Sequence, residues 1–438
     1  MIKQLLSTAA FAVALIASPL TAQDIVISNA KLAVGDGSEP IEDAIVVIRK
    51  GEVVYAGPAQ GTTFEFTQMV NAEGAYVTPG LFATVTSIGI WDVGAVSQSN
   101  DTRAGGSPFS AALDTAPIVN PNSQHFSIHR AAGITRAAVS TVPSGSIFSG
   151  QGAIIDLGND GNAVMKAKAF QMVNLGEGGA RIAGGSRASA FTLFNASLRE
   201  AQALSGTRGT PQTSEITKGD DVMLSRFDAE ALVPVVRGQQ QLYIAVERAS
   251  DIRSALALKS DFPRLDMVLV GASEGWLVAN EIAAAGVPVI ADSLDDLPES
   301  FAELAATQSN IGRMAAAGVK VAINAASMEN PRRLSQSAGN LVALTRVPRA
   351  SGLSWGQAFA AISSVPADIS GMGGRVGVLS RGAIGDVVIW DGDPLEVGSV
   401  PTKVFIAGVE QPLDNHQSRL KERYRDLDET QLPKAYDW

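Results

Sequence analysis

The chain reads as an α/β protein, a (β/α)8 TIM-like barrel with a small β-sandwich built from its N- and C-terminal segments. Three observations predict this. The long middle, residues 79–373, alternates strand-like runs with Ala-rich helical patterns, which implies a parallel sheet covered by helices. Both ends are instead rich in short alternating β runs broken by turn residues, so the ends are expected to pair with each other. Finally, 438 residues suit a barrel of about 250 residues plus a smaller unit better than an open doubly wound sheet. Neither a GxGxxG after a strand nor a GxxxxGK[ST] is present, so neither nucleotide-binding frame gains support.

Taken in order, residues 1–22 have the layout of a secretory signal: Lys3, an apolar run from Ala9 to Ala17, then small residues before a cleavage point after Ala22. The run is too short for a membrane span of about 20 residues, and no later segment qualifies. A periplasmic or secreted location is therefore expected. Residues 23–78 form the first β part, punctuated by Gly37, Pro40 and Gly51, and residues 374–414 the second. Within the barrel, a helix end followed by a strand is expected over Ala131–Ser140, and strands at Leu242–Val246, Met267–Val270, Val287–Ala291 and Val319–Ile323. Helices are expected at Ser250–Leu258, Trp276–Ala285, Pro298–Ala306 and Trp355–Ile362. Residues 415–438 read as a charged surface helix and tail, with Tyr436 and Trp438 as apolar groups that a partner could cover.

Composition excludes some functions. A net charge of −10 without any basic run argues against a nucleic-acid partner. The absence of cysteine rules out disulfides and thiolate metal sites, and makes export through an oxidising compartment harmless.

Several motifs in series carry a resemblance. They are YVTPGL at Tyr76–Leu81, the joint AAGIT at Ala131–Thr135, GSIFSGQGAIIDL at Gly145–Leu157, SVPADISGM at Ser364–Met372 and GVLSRGAIGDVVIWDGDP at Gly377–Pro394. On these the chain resembles the amidohydrolase superfamily, and more narrowly its imidazolonepropionase-like branch. The resemblance implies hydrolysis of non-peptide C–N bonds by a metal-bound water at the barrel mouth, because the ion lowers the water's pKa and polarises the carbonyl. It implies ligands from a His-x-His on strand one, a lysine or glutamate on strand four, histidines on strands five and six, and an aspartate on strand eight.

This chain departs from that pattern. The stretch PGLFATVTS, Pro79 to Ser87, is similar to the family's PGLIDxHxH, with Val85 and Ser87 at the two histidine positions. A strand sends residues i and i+2 to one side, which is how His-x-His aims two imidazoles at one ion. Valine cannot bind a metal, and serine is a poor ligand beside imidazole or carboxylate. Similarity places the strand-five ligand on Ala245, the strand-six ligand on Gly271 and the strand-eight aspartate on Ala326. No metal and no other cofactor is expected.

What remains for chemistry is a set of carboxylates, Glu177, Glu247 and Glu274, with Asp292 nearby, able to act as metal-free acid and base if they meet at the mouth. Trp91, Asp101, Arg103 and Arg187 are candidate ligand contacts. Of the three histidines, His125 and His129 share a helix face at i, i+4 spacing, on a helix expected outside the barrel and far from its mouth, and His416 is read as structural. Three readings stay open: a non-catalytic paralogue or partner subunit of an active amidohydrolase, a hydrolase with a non-standard site, and a periplasmic small-molecule binding protein. A homo-oligomer is also compatible.

Overall fold

The computed structural model describes residues 24–59, 64, 66–206, 223–325 and 331–425. The expected signal, residues 1–22, together with Ala326 and the end of the tail, lies outside the described residues.

The amino-terminal strands are β1 (Ile25–Leu32), β2 (Ile41–Arg49), β3 (Glu52–Pro58), β4 (Gln68–Asn71) and β5 (Tyr76–Pro79). The barrel strands follow as β6 (Leu81–Thr86), β7 (Ile134–Val139), β8 (Phe148–Asp156), β9 (Val164–Asn174), β10 (Gln241–Val246), β11 (Met267–Gly271), β12 (Val289–Ala291) and β13 (Val321–Ile323). The chain then returns through β14 (Val387–Trp390), β15 (Pro401–Ile406) and β16 (Val409–Glu410).

The two ends do meet. β5 pairs antiparallel with β14, and the terminal strands form one connected eight-stranded sheet in the order β16-β15-β14-β5-β1-β2-β3, with β4 beside β1. β1 changes partner along its length, taking β4 over Ile25–Ser28 and β5 over Lys31–Leu32. Ile27, Leu32, Val46, Ile48, Val77 and Phe405 form this unit's core.

The second eight-stranded sheet runs in chain order from β6 to β13. A parallel bridge between Thr84 and Asn324, with the Thr84 hydroxyl donating to the Ile323 carbonyl at 2.9 Å, brings its first and last strands together in a nearly closed barrel. Inside lie Phe82, Phe170, Tyr243 and Ile290, with the Phe170 and Tyr243 rings stacked 4.3 Å apart. Strand alternation explains the layering: in β10, Leu242, Ile244 and Val246 join the outer core under the helices, while Tyr243 and Ala245 face inward.

Two expectations need correction. The barrel is not wholly parallel, because the segment GSIFSGQGAIIDL supplies β8, which is antiparallel to both β7 and β9. A hairpin therefore stands where a βα unit was expected. Gly152 permits it, since a Cβ there would lie 2.1 Å from the Phe170 ring on the paired strand. The second correction concerns residues 298–306, which form turns rather than a helix. Leu297, Phe301 and Leu304 stay exposed, so a helix would bury no apolar face, and Ser300 and Glu303 bond locally instead.

The two units are joined by a buried ionic contact. Arg136 on β7 binds Asp386 through two bonds, Nε to Oδ2 at 2.6 Å and a second guanidinium nitrogen to Oδ1 at 2.8 Å, and reaches Asp156 at 3.2 Å.

Candidate functional site: the barrel mouth

The carboxyl ends of the parallel strands define one face of the barrel, where Thr86, Val139, Asn174, Val246, Gly271, Ala291 and Ile323 end their strands. This is the face on which barrels of this kind carry their sites.

Strand one reaches it in an unusual conformation. Val85 has φ +45°, rare for a β-branched residue, at an irregularity in the β6–β7 pairing. Its side chain packs with the barrel interior, as does that of Ala245. Ser87 follows just beyond β6 and borders a cavity of about 220 Å³ at the mouth.

Strands five and six meet in a closed arrangement. Gly271 ends β11 at φ +87°, and a Cβ there would come within 2.0 Å of Glu247 Oε1. The Glu247 carboxylate thus fills the space that a strand-six side chain would use. Its Oε2 accepts hydrogen bonds from the Ser273 backbone N–H at 3.0 Å and the Ser273 hydroxyl at 2.9 Å. Burial of the carboxylate, helped by the nearby negative charge of Asp292, raises its pKa to about 8. Near neutral pH this group holds its proton.

The other two candidate acids have different partners. Glu274 is buried and accepts from two backbone N–H groups, that of Ala249 at 2.9 Å and that of Ala305 at 3.2 Å. It thereby satisfies a donor at the start of the helix Ala249–Asp261. Glu177 sits three residues past the end of the fourth barrel strand, β9, at the start of the helix Glu177–Ile182, and faces Arg181 at 3.6 Å. None of the three borders the mouth cavity. Glu274 and Glu247 are neighbours, the Glu274 backbone N–H donating to the Glu247 carbonyl at 3.0 Å, whereas Glu177 pairs with Arg181.

Of the candidate ligand contacts, Trp91 lines the cavity, with its ring 4.1 Å from that of His125. Asp101 and Arg103 are exposed and lie off the cavity wall. Arg187 is on the barrel's flank, paired with Asp251 at 2.7 Å, and Arg248 holds the same carboxylate at 2.8 Å.

The histidines are where the sequence reading misplaced the chain. The helix Gln124–Arg130 carries both His125 and His129 to the mouth cavity. The long loop after strand one folds back over the mouth, and the helix start is tied to it by Ser123 Oγ to Trp91 O at 3.2 Å and Gln124 Nε2 to Asp92 O at 2.8 Å. His125 Nε2 lies 3.1 Å from Asp92 O. Met172 from β9 and Val270 from β11 complete an apolar wall that sequence alone did not single out. Both belong to ordinary apolar runs, so only strand direction could have marked them.

A metal held in the way the resemblance implies needs donors at these strand ends. Val85 and Ala245 present methyl groups, Gly271 presents no side chain, and Ser87 presents one hydroxyl, so this set does not fit an ion. Among the described residues no group of three or more histidines and carboxylates is placed to hold one.

Comparison with known proteins places the fold. An amidohydrolase from Thermotoga maritima MSB8 superposes with a TM-score of 0.75 at 20% identity, covering 88% of this chain and 99% of that one. This is the amidohydrolase fold. Molinate hydrolase superposes with a TM-score of 0.53 at 15% identity, over 90% of this chain and 95% of the other. An adenosine deaminase from Xanthomonas campestris, solved with bound zinc, gives 0.51 at 16% identity over 92% and 97%. In sequence, the amidohydrolase tasK of Hapsidospora irregularis is 45% identical over 60 residues, which is 14% of this chain and 6% of that protein. The match thus spans a small fraction of the relative's length. No family model matches the chain.

Proposed function

We propose that this chain is an exported, non-catalytic protein of the amidohydrolase fold, in which the metal centre has been replaced by a closed carboxylate and an apolar pocket that binds a small molecule. The observation that carries the reading is the Glu247 carboxylate in the side-chain space of Gly271, bonded to Ser273. A vacated ligand position leaves a hole. Here the hole is filled and the carboxylate's Oε2 has two partners, which fits a site remade for another purpose. The assignment to the imidazolonepropionase-like branch and to the periplasm belongs to this proposal and rests on the sequence motifs and on residues 1–22. The test is to load the purified mature protein with zinc or manganese and assay cyclic amides and dipeptides. No turnover above the metal-free control is expected. Metal-dependent turnover lost on chelation overturns the proposal.

A second reading, partner subunit of an active amidohydrolase, has its own support. The loop after β12 exposes Leu297 by 77%, Phe301 by 86% and Leu304 by 66% on the mouth side of the barrel, a contiguous stretch of the kind that protein interfaces cover. Light scattering of the purified chain, alone and co-expressed with a metal-bearing homologue, tests it; a strict monomer in both cases counts against it.

A further inference from the structure

Among the described residues that line the mouth cavity, His129 carries a buried polar atom without a partner. His129 is 2% exposed and lines the cavity. Its Nδ1 lies 2.6 Å from the carbonyl oxygen of His125, one turn earlier on the same helix. A carbonyl only accepts, so Nδ1 carries the proton and donates, and Nε2 on the far edge of the ring is left as an acceptor. That Nε2 is buried and has no hydrogen-bond partner among the described residues. Burial, outweighing the hydrogen bond to the His125 carbonyl, lowers the imidazole's pKa to about 4 and keeps it neutral. A buried acceptor on a residue that lines a mostly apolar cavity is a recognition element for one donor.

The rest of the cavity limits what can bring that donor. Val85, Met172 and Val270 form its barrel-side wall, and Trp91 adds an aromatic face. Among the described residues no carboxylate lines it, so a cation finds no counter-charge there. Its volume of about 220 Å³ exceeds that of the roughly 150 Å³ apolar cavity known to admit benzene.

We propose that the mouth pocket binds small neutral molecules of the phenol class, with the apolar ring against Met172, Val270 and Trp91 and the hydroxyl donated to His129 Nε2. The proposal rests on the small-molecule reading above and names its ligand.

The experiment is calorimetric titration of the purified mature protein with phenol, with anisole, which lacks the donor, and with benzoate, which adds a charge. Phenol is expected to bind saturably and about 10-fold or more tighter than anisole, the difference of one hydrogen bond. His129→Phe is expected to bind phenol and anisole alike. Ser87→Phe, which fills the rim and leaves the imidazole in place, is expected to weaken both, and a retained melting transition in each variant shows that it folds. Equal binding of phenol and anisole by the wild type, preference for benzoate, or no saturation by phenol, which would leave Nε2 to water, each overturns the proposal. A phenol preference that survives His129→Phe overturns the assigned contact. Protein that proves metal-dependent and hydrolytic contradicts the non-catalytic reading regardless of phenol, whereas metal-free, inactive protein that ignores phenol contradicts this inference alone.

Discussion

Gly271 and Glu247 act as a pair, and their coupling is measurable. Gly271→Ala introduces a Cβ 2.0 Å from Glu247 Oε1 at a backbone angle of φ +87°. A loss of about 1–3 kcal/mol in unfolding free energy is expected from the strain and the clash. In a Glu247→Ala background the clash is gone and only the backbone strain remains, so Gly271→Ala costs less there. Additive losses in a double-mutant cycle would show that the carboxylate is elsewhere. Proton linkage gives an independent readout of the same carboxyl. With its pKa raised to about 8 from 4.5, the folded protein retains a proton that the unfolded chain releases. The stability from this group is therefore fully present below about pH 4.5 and is lost as pH rises towards 8. Asp292, and more weakly Glu303, oppose its ionisation. His129 has the opposite sign, its contribution falling as pH drops from 6.5 through about 4. The difference between wild type and Glu247→Gln in urea midpoint isolates the carboxyl: wild type is expected to lose stability relative to the variant from pH 5 to 8. Parallel pH profiles contradict the assignment.

Among the elements, Glu274 links the end of β11 to the helix Ala249–Asp261 and to the loop that follows β12. Glu274→Ala leaves two backbone donors without their acceptor, and a loss of about 1–3 kcal/mol in chemical denaturation is expected. Unchanged stability would show that water replaces the carboxylate at both sites. The elements also show what sequence can convey. Strands five, six and eight were legible because Leu242–Val246, Met267–Val270 and Val319–Ile323 are short apolar runs between helical patterns, and the structure places β10, β11 and β13 there. β8 was not legible as antiparallel, since an apolar run carries no sign of its direction and the hairpin depends on Gly152 meeting Phe170. The segment Pro298–Ala306 has helical spacing, but spacing makes a helix only when a neighbour covers the apolar face. His125 and His129 were legible as a helical pair and illegible as cavity residues, because their position depends on the path of the long connection 87–123 rather than on local pattern.

For the molecule as a whole, the contact of Arg136 with Asp386 and Asp156 ties the barrel to the terminal sheet. Arg136→Met strands a buried carboxylate and is expected to cost about 3–5 kcal/mol, whereas changing Asp386 to Asn at the same time recovers part of that loss. Thermal unfolding of the single and double variants checks it; an equal loss in both would mean that packing, not charge, holds the junction. The fold that this contact joins is shared with metal enzymes, but a fold does not carry its chemistry with it. We propose that this barrel has given up its metal. Metal content of the purified mature protein, measured by plasma mass spectrometry after dialysis against excess zinc, tests that most directly. Well under one equivalent per chain is predicted, unchanged by Glu247→Gln. Close to one equivalent of zinc, released together with hydrolytic activity on chelation, would contradict it.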